Sequence, residues 1–169
     1  MKKKPSQGIT VTQIAAEAVR WLCLLGIVLL VSRMFAGNKI SSTPFDQMSN
    51  AVLSHLSMDK MQLADNQMIK RLYGIDPAAY EDVLLYYPTT NMGAEELFVI
   101  KLSAPSEQQE SVQKAIEARL ATQKKNFDGY GTYQTAMLNA SQIVVRGNYI
   151  LFISGDNPDQ IVQDFEKAL

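Results

Sequence analysis

Residues 141–154, SQIVVRGNYILFIS, contain the clearest β-hairpin signal in the sequence. Two runs rich in β-branched and aromatic residues, 141–146 and 149–154, flank the dipeptide Gly147-Asn148. Glycine and asparagine tolerate the positive φ angles of a two-residue primed turn, so the two runs are predicted to pair as antiparallel strands. This hairpin gives the chain a sheet on which the remaining elements can pack.

A second hairpin is predicted earlier in the chain, where residues 80–87 and 95–102 are β-like and are joined by a loop of turn-forming residues. A helix that begins at Pro105 follows this hairpin, and a helix that begins at Pro158 follows the other. Two successive hairpin–helix units predict an α+β fold, with packed helices on an antiparallel sheet of about four strands.

Two short helices are predicted before the sheet. One begins at Pro44 with Thr43 as its cap, and the other covers residues 65–73 and ends at Gly74. Strand 95–102 is apolar on both faces, whereas an antiparallel sheet with one wet face alternates more cleanly. Either the two early helices cover the second face of the sheet, or part of that face is left exposed for a partner to bind. The first is favoured, because those helices need a surface for their own apolar residues.

Residues 21–31, WLCLLGIVLLV, form an uninterrupted apolar run near the amino terminus. Such a run is short for the hydrocarbon core of a bilayer, but Arg20 and Arg33 can place their charges at the interfaces along their aliphatic stems. Residues 14–36 are therefore predicted to form one amino-terminal transmembrane helix that contacts membrane lipid.

The charge distribution sets the predicted orientation. Residues 1–36 carry five basic and one acidic side chain, whereas residues 37–169 carry 11 basic and 16 acidic ones, a balance of −5. The positive-inside rule then places residues 1–13 in the cytoplasm and the domain, residues 43–169, outside it, with residues 37–42 as a connector. The acidic domain also argues against nucleic acid as a partner, because binding phosphates needs clustered Lys and Arg.

A cleaved signal peptide is the alternative to an uncleaved anchor. The best cleavage position follows Ala36, but Met34 then occupies a position that needs a small residue. Lipid modification at Cys23 is not predicted, because the residues before it lack the small side chains of a lipobox.

The sequence predicts no catalytic residue, no metal site and no cofactor site. His55 is the only histidine and Cys23, inside the apolar run, is the only cysteine, so a His- or Cys-based metal site cannot be assembled. Neighbouring carboxylates on a strand point to opposite faces and are predicted to be solvated rather than catalytic. The carboxylate pairs are Glu81-Asp82, Glu95-Glu96 and Asp156 with Asp159.

Tyr130 and Tyr133, in and beside a glycine-bearing loop, are predicted to form a recognition surface. Tyrosine offers a flat apolar face and a hydroxyl, which suit contacts with proteins, peptides or sugars. Asp76 is a further candidate, although its side chain before Pro77 is also predicted to cap a turn.

Short segments in the outer domain carry a family resemblance. They are Tyr73-Gly74-Ile75-Asp76-Pro77, Tyr80-Glu81-Asp82-Val83, Ala94-Glu95-Glu96-Leu97, Arg119-Leu120 with Gln123 and Phe127, and Gly147-Asn148-Tyr149 with Phe152. Together they resemble the bacterial domain of unknown function numbered four-three-five-eight, over roughly residues 65–169. The resemblance implies an extracytoplasmic domain of an anchored or lipid-modified envelope protein in Gram-positive bacteria. It implies no activity and no functional residues.

The sequence thus predicts a single-pass membrane protein whose outer domain is a non-catalytic binding or envelope-assembly module. Its partner would be an unidentified envelope protein or cell-wall component. One alternative is a cell-envelope hydrolase or transferase that uses carboxylates, and another is a membrane assembly factor that acts through the helix around Gly26. A concave pocket with two opposed carboxyls would favour the enzyme, and a shallow tyrosine-lined surface would favour the binding module.

Overall fold

The computed structural model describes residues 11–36, 40–56 and 58–169. These residues divide into two units, the helix α1, Val11–Ala36, and a domain that begins at residue 40. Within the described residues, no helix combines the length and the apolarity needed to cross a membrane. The predicted cytoplasmic segment and the predicted connector fall partly outside the described residues, so those boundaries stay predictions.

The described part of the domain confirms the predicted α+β fold. Five strands form one antiparallel sheet in the order β1-β2-β3-β5-β4, and the two predicted hairpins are β2–β3 and β4–β5. The elements are α2 (Phe45–Leu53), β1 (Met61–Leu63), α3 (Asn66–Tyr73), a 3₁₀ turn η1 (Pro77–Ala79), β2 (Asp82–Pro88), β3 (Glu96–Lys101), α4 (Pro105–Phe127), α5 (Thr132–Asn139), β4 (Gln142–Arg146), β5 (Tyr149–Ser154) and α6 (Pro158–Ala168).

Local signals account for most element ends. The Asp65 carboxylate accepts a hydrogen bond from the Met68 amide at 2.7 Å and caps α3, which ends at Gly74 with a φ of 67°. In the β4–β5 turn only Gly147 takes a positive φ, 59°, as in a type II′ turn. Thr43 does not cap α2; its hydroxyl donates instead to the Ala168 carbonyl at 2.8 Å.

The sequence prediction undercounted the strands. The sheet has five strands rather than about four, because the edge strand β1 pairs with the end of β2. With three residues, of which only Met61 is buried, β1 shows no alternating pattern that a sequence reading could detect. Residues 132–139, which follow the glycine-bearing loop, form the eight-residue helix α5.

Helices cover both faces of the sheet. Phe98, Ile100 and Phe152 pack with residues of α3 and α4, whereas Leu97, Val99 and Ile153 pack with residues of α2 and α6. The prediction that both early helices cover the second face is therefore wrong for α3. That helix packs beside α4 on the Phe98 face, where Ile69 and Tyr73 join the core and the Tyr73 hydroxyl donates a hydrogen bond to Glu96.

Candidate functional site

A buried carboxylate lies where α3, α4 and the sheet meet. Glu96, the first residue of β3, is 1% exposed. The Arg119 guanidinium donates to it in a bidentate manner, from Nη2 to Oε2 at 2.7 Å and from Nε to Oε1 at 3.1 Å. The Tyr73 hydroxyl donates to Oε1 at 2.5 Å and the Gln123 amide to Oε2 at 3.2 Å. We call these four residues the Glu96 cluster; its donors occupy both oxygens of the carboxylate.

The prediction that the Glu95-Glu96 pair is solvated is wrong for Glu96. Consecutive strand residues point to opposite faces, so only Glu96 lies under α4. Glu95 is half-buried on the other side, where Oε2 accepts a hydrogen bond from the Ala94 amide at 3.0 Å. A signal existed in the sequence, since Glu96 shares the two-residue period of Phe98 and Ile100. Another lay in α4, where Arg119 and Gln123 continue the inward stripe of Val112 and Ile116.

The surroundings of Tyr73 and Arg119 in the Glu96 cluster determine that both side chains are protonated. Burial, followed by the charge and hydrogen bond of Glu96, raises the pKa of Tyr73 well above its usual value. Burial lowers the pKa of Arg119, but the hydrogen bond and charge of Glu96 outweigh it, and the net pKa is raised. The phenol therefore keeps its proton and the guanidinium its charge. This arrangement suits a structural tie between three elements better than proton transfer.

The Tyr73 hydroxyl gives the domain a dependence on alkaline pH. Because the pKa of Tyr73 is higher in the folded protein than its ordinary value near 10, the full stabilisation is present below about pH 10 and declines as the pH rises above it. We expect Tyr73→Phe to cost about 1.5–3 kcal/mol of unfolding free energy at neutral pH, and this deficit to shrink above about pH 10. Urea denaturation between pH 7 and 11 measures both effects. Tyr130→Phe is the control, and a pH-independent deficit for Tyr73→Phe would contradict the expectation.

A groove between α3 and α4 opens beside the Glu96 cluster. It consists of two clefts of about 280 and 270 Å³ that share Arg71, Leu72 and Arg119. The first extends towards the β2–β3 turn and the second continues along α4 to Ala115. We call the two clefts together the α3–α4 groove. Its polar lining outside the arginines is neutral and consists of Tyr73, Tyr87, Thr90, Asn91, Thr122, Gln123 and Asn126.

A smaller cleft lies on the α2–α6 side of the sheet and contains two carboxylates. Its volume is about 100 Å³, against roughly 300 Å³ or more for typical small-molecule pockets. Glu95 and Asp156 both line it, but Asp156 accepts a hydrogen bond from the Tyr133 hydroxyl and Glu95 is tied to the Ala94 amide. Each carboxylate is thus engaged by the protein itself.

His55 has the neighbours of a catalytic triad but not its geometry. Its Nδ1 atom lies 2.8 Å from the Asp164 carboxylate and 3.0 Å from the Ser54 hydroxyl. A nucleophilic triad uses the two ring nitrogens separately, one for the acid and one for the nucleophile. Here both contacts fall on one nitrogen, so His55 links α6 to the end of α2. In the described part of the chain, no group of His, Cys, Asp and Glu is arranged to hold a metal ion.

Two of the three predicted recognition residues are exposed near the same turn. Tyr130 is 65% exposed and Tyr133 55% exposed, and both lie at the turn between α4 and α5. The Gln134 amide donates to the Met92 carbonyl at 3.0 Å, which places exposed Met92 at the same end of the domain. The hydrogen bond that the Tyr133 hydroxyl donates to the Asp156 carboxylate raises the pKa of Tyr133, so the hydroxyl keeps its proton. We call Met92, Tyr130 and Tyr133 the tyrosine patch.

Asp76 lies elsewhere, near the opposite end of α4. Its carboxylate accepts a hydrogen bond from the Ala78 amide at 3.3 Å and caps η1, in agreement with the predicted turn role. The Ala79 carbonyl of this turn accepts a hydrogen bond from Gln108 in the first turns of α4. From Gln108 to Phe127 the helix extends roughly 28 Å at ~1.5 Å per residue. Asp76 therefore cannot share one contact surface with Tyr130, and its role in recognition stays a prediction.

The fold and site define a small α+β domain in which a buried ion pair supports an open polar groove. A protein family described as a domain of unknown function, DUF4358, matches residues 54–155. The chain belongs to this family, which confirms the resemblance seen in the sequence. All four residues of the Glu96 cluster lie within the matched region. No curated protein and no solved structure matches the chain.

Proposed function

We propose that the chain is a single-pass membrane protein whose domain, residues 43–169, acts outside the cytoplasm as a non-catalytic binding or envelope-assembly module. In this proposal residues 14–36 contact membrane lipid. Support comes from α1, in which the large apolar side chains between Val19 and Leu30 are 44–68% exposed. Such a continuous apolar surface needs a cover other than water. The lysines at positions 2–4 support a cytoplasmic amino terminus, and the resemblance supports the envelope of a Gram-positive bacterium.

The single observation that carries the binding role is the tyrosine patch. Isolated exposed apolar residues are common on protein surfaces, but here three large ones lie at one end of the domain. Tyrosine and methionine are enriched in protein interfaces, where they offer large contact areas. An envelope protein is therefore the proposed partner of this patch.

Photo-crosslinking in native membranes tests this role. A photoreactive residue at position 130 is expected to trap a discrete envelope protein, whereas the same residue at position 117, exposed in the middle of α4, is not. Equal trapping at both positions would contradict a specific patch.

A second candidate function, a cell-envelope hydrolase or transferase, is favoured by one observation: Glu95 and Asp156 line the same cleft. If position 130 traps nothing and the purified chain turns over a cell-wall substrate, this function replaces the first. Turnover should then be lost in Glu95→Gln and Asp156→Asn, because each variant removes one ionisable carboxyl.

A further inference from the structure

We propose that the α3–α4 groove binds an extended peptide segment through a carboxylate held by Arg71 and Arg119. This site is distinct from the tyrosine patch and goes beyond the function proposed above. Its ligand is defined by the chemistry of the groove, namely one acidic group on an otherwise neutral chain.

Two cations line the groove, and they differ in their partners. Arg119 donates one hydrogen bond from Nε and one from Nη2 to Glu96. The Nη1 donors do not bond to that carboxylate. The Arg71 side chain is exposed, and no carboxylate of residues 40–56 and 58–169 lies within 4.0 Å of it. Because the Glu96 carboxylate neutralises the charge of Arg119, the groove keeps about one positive charge, that of Arg71.

The guanidinium groups determine the class of ligand. Arginine presents a planar set of donors that matches a carboxylate or a phosphate, and such charge-assisted bonds are about twice as strong as neutral ones. Arg119 is already oriented by the Glu96 cluster, so binding does not have to order it. The groove is therefore prepared for an oxyanion.

The surroundings favour a peptide carboxylate over a polyanion. Residues 37–169 have a balance of −5, which repels a chain with many negative charges. The neutral lining, Thr90, Asn91, Thr122 and Asn126, offers hydroxyl and amide groups that can bond to peptide backbone. From Ala115 to Asn126 the groove follows α4 for roughly 16 Å, the length of about five extended residues.

Binding of two pools of fluorescent pentapeptides, acetylated and amidated, tests the proposal with the full chain in detergent micelles. One pool carries a central glutamate and the other a central glutamine. We expect the glutamate pool to bind roughly tenfold more tightly or better, because one charge-assisted contact is lost in the other pool. Arg71→Gln should reduce binding of the glutamate pool to the level of the glutamine pool. Lys114→Gln, the same charge change on an exposed part of α4, should leave binding unchanged.

Three results would overturn the proposal. The first is equal binding of the two pools, and the second is wild-type binding by Arg71→Gln. The third is binding of inorganic phosphate that depends on Arg71 when neither pool binds, which would assign the groove to a phosphoryl group.

Arg71→Lys is the second variant. It keeps the positive charge but loses the planar, two-pronged set of donors, so it should bind the glutamate pool more weakly than wild type does. All these measurements use the purified chain in micelles and need neither a bilayer nor an envelope partner, so their failure is distinct from a failure of the anchor or of the tyrosine patch.

Discussion

Replacing Arg119 with alanine is expected to lower the free energy of unfolding by about 3–5 kcal/mol. The change would leave the Glu96 carboxylate, 1% exposed, without its cation and with only Tyr73 and Gln123 as donors. A charge buried without a counter-charge is far costlier than the loss of a surface contact. Urea denaturation of the full chain in micelles measures the effect.

Two comparisons show whether burial causes this loss. Arg146→Ala removes an arginine from an exposed pair with Glu166 and should cost less than about 1 kcal/mol. The double variant Glu96→Leu/Arg119→Met, which removes both charges, should recover most of the stability lost in Arg119→Ala. If Arg119→Ala were as mild as Arg146→Ala, the Glu96 cluster would not hold the three elements together.

Replacing Phe98 with alanine should also cost about 3–5 kcal/mol, for a different reason. Phe98 is fully buried in the central strand β3, opposite Phe152 of β5. Its ring stacks on that of Tyr73, with ring centres 4.4 Å apart and planes 13° apart. The alanine variant leaves a cavity under α3 and loosens Tyr73, which donates to Glu96.

The matched control is Leu63→Ala in the edge strand β1, where the side chain is 59% exposed. That change should alter the unfolding free energy by no more than about 0.5 kcal/mol. Phe98→Leu should fall between the two, since it retains more of the buried volume. Similar losses for Phe98→Ala and Leu63→Ala would show that the α3–α4 side of the sheet is not tightly packed.

Local patterns were enough to predict most of the fold. Gly147-Asn148 between two β-rich runs specifies a hairpin, and prolines at the first turns of α4 and α6 mark where those helices begin. Asp65 and Gly74 delimit α3 for equally local reasons. The edge strand β1 was not predicted, because three residues are too few to show the alternating apolar pattern of a strand.

The candidate sites depended on contacts between distant residues. Tyr130 lies in the loop before α5 and Tyr133 in the first turn of that helix, and both are exposed there, while the capping role of Asp76 follows from the proline after it. The Glu96 cluster joins residues 23 and 27 positions apart, so only the packed fold shows it. Arg71 becomes informative only once α3 is placed beside α4, since its sequence neighbours carry no sign of a groove.

The cluster and the groove form one arrangement in this domain. Glu96 ties α3 and α4 to the sheet and orients Arg119, whose guanidinium lines the groove that α3 and α4 enclose. The buried Glu96 carboxylate thus fixes the position of the Arg119 guanidinium in the groove. In the functions proposed above, this arrangement holds the α3–α4 groove rigid for its ligand, and α1 holds the domain at a membrane.

Cysteine labelling of intact cells tests the central proposal, a domain that α1 holds at the membrane on the side away from the cytoplasm. The only cysteine, Cys23, lies in the apolar run, so Ser111→Cys in α4 adds one reporter on the exposed surface of the domain. We expect a membrane-impermeant maleimide to label this variant in intact cells and the labelled chain to stay in the membrane fraction. The wild-type chain should stay unlabelled. Labelling that needs cell lysis, or recovery of the chain in the soluble fraction, would contradict the claim.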